Sequence, residues 1–89
     1  MAEFILIKED FFIPLKDDDD VSLFVKKDDI IEIRYLRDDT SIVKKIGDLE
    51  FLDCVLYHEF IVANYQIFEI VTKAYIRERK INSLLNKKV

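Results

Sequence analysis

With one glycine, one proline, one cysteine, one histidine and no tryptophan in 89 residues, the chain lacks most of what catalytic and loop-rich proteins are built from. A single glycine cannot make a phosphate-cradling loop, which excludes a P-loop nucleotide hydrolase. A lone Cys54 cannot form an internal disulfide, and Cys54 with His58 makes two zinc-type ligands where a structural site takes about four. No stretch reaches the ~18 uninterrupted apolar residues of a spanning helix, because Asp, Glu, Lys or Arg breaks every run. The start, Met1-Ala2-Glu3-Phe4, has neither the basic segment nor the small-residue cleavage site of a signal peptide. These absences set the expectation of a cytoplasmic protein in a reducing compartment, with no metal, no cofactor and no membrane partner.

What the chain does have is 51% hydrophobic and 36% charged residues, too apolar for disorder and enough for one small core. A single domain over residues 1–89 follows. Charge is unevenly placed: residues 1–20 hold seven acids and two bases, residues 21–60 nine acids and six bases, and residues 61–89 two acids and six bases. An acidic body therefore carries a basic tail.

The first half predicts strands. Glu3–Lys8 is short and isoleucine-rich, Val21–Lys26 and Ile30–Arg37 alternate, and Pro14 confines the segment after Phe11 to an edge or a loop. A two-residue turn at Asp38-Asp39 would set Ile33 opposite Lys44, Tyr35 opposite Ile42 and Glu32 opposite Lys45. A slightly longer loop is the alternative, since Asp-Asp is a weak hairpin signal. Glu50–Tyr57 reads as a further strand with Leu52, Cys54 and Leu56 on one face. From about Glu59 to Leu85 the apolar residues Phe60, Ile67, Val71, Ala74, Ile81 and Leu85 share one face of a helix some 40 Å long at ~1.5 Å per residue. The expected fold is α+β: a small antiparallel sheet or partly open barrel of about five strands over residues 3–57, followed by one long C-terminal helix over 59–85. Tyr65 and Ile76 fall away from that helix's core stripe, so either the sheet wraps the helix or a second chain covers it, which makes a homodimer through the helix one arrangement to test.

The search for chemistry yields no catalytic residue. Cys54 and His58 would touch on a helix, but on a strand four residues at ~3.3 Å each hold them about 13 Å apart, so Cys54 reads as a small buried hydrophobe. Asp17, Asp18, Asp19 and Asp20 lack the alternation, glycine and closing glutamate of a calcium loop. Paired acids do general acid–base work only where a pocket raises one pKa, and no pattern marks such a pocket. The basic cluster Lys73, Arg77, Arg79 and Lys80 invites nucleic acid, but an overall pI near 4.9 repels phosphate, and cations near a helix C-terminus also complement its dipole.

The expectation is therefore a small acidic protein-binding module in which Asp17–Asp20, Asp28, Asp29, Asp38 and Asp39 meet a basic surface on another protein. In its sharper form it is an inhibitor that imitates phosphate charge, as small proteins of phages and other mobile elements do. The alternative is a regulatory or nucleic-acid-binding subunit that uses the basic helix.

Overall fold

The computed structural model describes residues 2–16, 21–36 and 40–86. Five strands form one sheet: β1 (Ala2–Ile7), β4 (Ile30–Tyr35), β5 (Ser41–Lys45), β6 (Leu52–Cys54) and β7 (Phe68–Val71). Their order is β6-β5-β4-β1-β7, and every pairing is antiparallel. β2 (Phe11–Pro14) and β3 (Ser22–Val25) make a separate hairpin. A short helix α1 (His58–Ala63) precedes β7, and α2 (Lys73–Asn86) follows it.

The core lies on one face of the sheet. Ile5 and Ile7 of β1, Ile31 and Ile33 of β4 and Val43 of β5 are fully buried, and the hairpin adds Ile13 and Val25 from above. Ile61 of α1 and Phe68 of β7 close one end. Each such side chain contributes roughly 1.5–3 kcal/mol by leaving water, so this set of isoleucines and valines is what holds so short a chain together. The β3–β4 turn is tied down by backbone bonds, with Ile7 N–H donating to Asp29 O at 2.8 Å and Asp28 N–H to Ile7 O at 2.7 Å. Asp28 sits there at φ 77, a left-handed conformation that aspartate tolerates better than most residues.

The β4–β5 hairpin is registered one residue away from the two-residue-turn expectation: Ile33 faces Val43, Tyr35 faces Ser41 and Glu32 faces Lys44. Leu36 N–H donates to Thr40 O at 2.8 Å, enclosing residues 37–39, so the longer loop is the one used. A one-residue slip turns every side chain of a strand to the other face. The observed register buries Ser41 and Val43, whereas the alternative would have turned Lys44 to the core.

The single long helix over 59–85 is overturned, although the fold is a small α+β one. The segment forms α1, then β7, then α2. Asn64 is the C-cap of α1: its backbone leaves helical geometry at φ −105 and ψ 51, while its N–H and its Nδ2 both donate to Phe60 O, at 3.1 and 2.7 Å. Asn64 O then accepts Ile67 N–H and Phe68 N–H, turning the chain into a run of β-forming residues that pairs with β1. Without β7, β1 would be an open edge beside the core. Thr72 starts the second helix, its Oγ1 accepting Tyr75 N–H at 3.1 Å as a cap. The anticipated stripe is accordingly dispersed, with Phe60 on α1 and Val71 on β7.

Candidate functional site

The acidic residues expected to meet a partner divide in two. Asp17, Asp18, Asp19, Asp20, Asp38 and Asp39 lie outside the described residues. Asp29 is occupied locally, its Oδ2 accepting Lys26 N–H at 2.8 Å and pairing with Lys45 Nζ at 3.6 Å, while exposed Asp28 is engaged through its backbone, its carbonyl accepting from the Arg79 guanidinium. Asp10 caps the same turn through Lys27 N–H at 2.8 Å. The carboxylates of Asp29 and Asp10 build a turn before they offer charge to anything else.

The basic cluster is likewise spread out. Lys73 Nζ stands 6.0 Å from the centre of the Phe4 ring, Arg79 holds the β3–β4 turn, Arg77 is exposed, and the side chain of Lys80 lies outside the described residues. Tyr65 and Ile76 do not share a helix. Ile76 is buried on α2 against the sheet, and Tyr65, 69% exposed, sits in the turn after α1.

Among the described residues, the groupings around Ser41 and around Glu3 are the ones that bring a thiol or a histidine next to another polar group. Ser41, buried beside Cys54, donates its hydroxyl to Leu56 O at 2.5 Å and lies 3.1 Å from Cys54 Sγ. Cys54 is fully enclosed, so no substrate reaches its sulfur. His58 is elsewhere, at the start of α1, with Nδ1 3.0 Å from Glu3 Oε1. Tyr35 Oη donates to the other oxygen of the same carboxylate at 3.1 Å, so Glu3 clasps the ends of β4 and α1 together. Burial and the adjacent Glu3 carboxylate push the Tyr35 phenol well above the ordinary tyrosine range, which keeps it a neutral hydrogen-bond donor. A histidine beside a carboxylate is half of an acid–base pair, but the nearest thiol is sealed in the core. Among the described residues no group of three or more His, Cys, Asp or Glu side chains could hold a metal ion, and no helix is long and apolar enough to cross a membrane.

An open strand edge lies at the far end of the sheet. β7 is the last strand, and among the described residues nothing pairs with its outer side. Alongside it runs a groove of about 390 Å³ lined by Val62, Tyr65, Phe68 and Ile70, with Lys8 and Glu69 at its rim. Val62 is 52% exposed and Ile70 49%. Ile70 stands opposite Ile5 and so points to the core side of the sheet, yet no side chain covers it as Ile5 is covered. The helical reading of 59–85 takes in Val62, Tyr65 and Ile70 alike, and only Tyr65 stands out in it, as lying away from the apolar stripe. No protein-family model, curated protein or solved structure matches this chain.

Proposed function

We propose that the chain is a non-catalytic protein-binding module whose contact surface is the open edge of β7 with its apolar border of Val62, Tyr65 and Ile70. The observation that carries this reading is the coincidence of an unpaired strand edge with adjacent exposed apolar side chains, the two components that recognition by strand addition requires. Apolar side chains clustered at an edge are a liability unless something covers them. The acidic excess of residues 1–60 has a supporting part, steering the module toward a basic surface from a distance. The sharper inhibitor form draws less from the structure, because the Asp29 carboxylate is used within its own turn. The nucleic-acid alternative is weakened in the same way, since Lys73 and Arg79 are engaged within the chain.

The test is a double substitution, Val62→Glu with Tyr65→Glu, at two exposed positions whose change should leave the circular dichroism spectrum intact. Chemical cross-linking in lysate should lose the stoichiometric adduct of the wild type. An adduct that persists unchanged would remove this surface from consideration.

A further inference from the structure

We propose that the β7 edge is occupied by β7 of a second copy, paired antiparallel about a two-fold axis at Ile70; this deepens the protein-binding reading and rests on it. The backbone alternation determines which groups face outward. Lys8 N–H donates to Ile67 O at 2.7 Å, and the register continues with Leu6 opposite Glu69 and Phe4 opposite Val71. Ile67, Glu69 and Val71 therefore direct their peptide groups at β1, while Phe68, Ile70 and Thr72 direct theirs away. Two of the outward groups are already used: Phe68 N–H donates to Asn64 O at 3.0 Å, and Thr72 O accepts Ile76 N–H at 3.2 Å. The groups left over are Ile70 N–H, Ile70 C=O, Phe68 C=O and Thr72 N–H.

An antiparallel pair centred on Ile70 sets Ile70 against its own counterpart and Phe68 against Thr72 of the second copy. Every free donor then meets a free acceptor: Ile70 N–H bonds Ile70 C=O in both directions, and Thr72 N–H bonds Phe68 C=O on each side of the axis. The two groups already used, Phe68 N–H and Thr72 C=O, face each other and need nothing. Shifting the axis by one residue, to Glu69, would require a bond from Phe68 N–H that is already made within the chain. The side chains agree with this register. The exposed Ile70 meets its counterpart beside Val62 and Tyr65. α2 leaves the edge clear, since buried Ile76 and the Arg79 contact to Asp28 lead it back across the sheet.

Sedimentation of the full chain tests the register. The wild type should dimerise. Ile70→Lys and Ile70→Glu should each be monomeric, because each places like charges directly opposite one another, and an equimolar mixture of the two should recover a dimer. Ile70→Pro removes only an outward-facing N–H and spares the β1 ladder, so it should stay folded by circular dichroism while dimer affinity falls on the order of ten-fold or more. A wild type that is monomeric at about 1 mM, the weak limit of specific association, overturns the second copy as occupant. A wild-type dimer whose Lys and Glu variants do not recombine overturns the register. If the wild type is monomeric but captures another protein in a way that Ile70→Lys abolishes, the edge remains a binding surface with a different occupant. A monomer with no Ile70-dependent capture sinks both proposals.

Discussion

The two ends of the main sheet are built alike and treated differently. At the β6 end the chain returns: Leu15 bridges to Cys54, and Lys16 N–H donates to Asp53 O at 3.1 Å, so the β2–β3 hairpin extends the sheet and covers its core face with Ile13 and Val25. At the β7 end nothing returns among the described residues, and Ile70 and Val62 are left half open to water. Among the described residues one hairpin closes one edge and nothing closes the other. The closed edge carries folding energy, and the open one keeps backbone donors and acceptors free for association.

The sharpest way to break that contrast is to shorten one isoleucine at each end. Ile13→Ala empties a fully enclosed position and should cost about 2–5 kcal/mol in urea unfolding. Ile70→Ala, 49% exposed before the change, should cost less than ~1 kcal/mol when read at a concentration where the chain is monomeric. Equal losses at the two sites would mean that β7 is as well covered as β2, and the case for an open edge would end there.

Ser41 sharpens the closed side. Its hydroxyl donates to Leu56 O just where the chain leaves β6 for α1, and it is sealed from water. Ser41→Ala strands that carbonyl without its donor and should destabilise by about 1–3 kcal/mol. Ser41→Cys keeps a weak donor and should recover part of the loss; no difference between the two variants would show that the hydroxyl bond contributes nothing.

The closed part of the sheet was the legible part of the sequence. Alternation in Ile30–Tyr35 and Ser41–Lys45 is long enough to announce paired strands, and only the loop length at Asp38-Asp39 was ambiguous, which shifted the register by one. The open part was illegible for a physical reason. β7 has four residues, too few to show a period of two, and Phe60, Ile67, Val71 and Ala74 also fit a helical period. Its strand form is decided by pairing with β1, some sixty residues earlier in the chain. Asn64 was the only local sign of a break, and an isolated asparagine in an apolar pattern is a weak one. The Glu3 clasp was hidden for the same reason, since Tyr35 and Glu3 are 32 residues apart and no spacing rule connects them.

That clasp gives the smallest and most specific of the expected effects, and it adds a polar tie between the sheet and α1, whose Ile61 is already buried in the core. Tyr35 donates to Glu3, and burial together with that carboxylate holds its pKa above the ordinary value of about 10. The folded protein therefore keeps the phenol proton at pH values where the unfolded chain has begun to lose it. The stability this contributes is fully present below pH ~10 and is lost progressively as pH rises toward the higher folded value. Tyr35→Phe should cost on the order of 1 kcal/mol at pH 8, the worth of one partly exposed hydrogen bond to a carboxylate. The difference between wild type and Tyr35→Phe should then shrink between pH 10 and 11, where the wild type loses what the variant never had. Urea midpoints at those pH values check it. Parallel pH profiles would show that Tyr35 does not titrate differently in the two states, and α1 would then be held without it, by the His58–Glu3 contact and the buried Ile61.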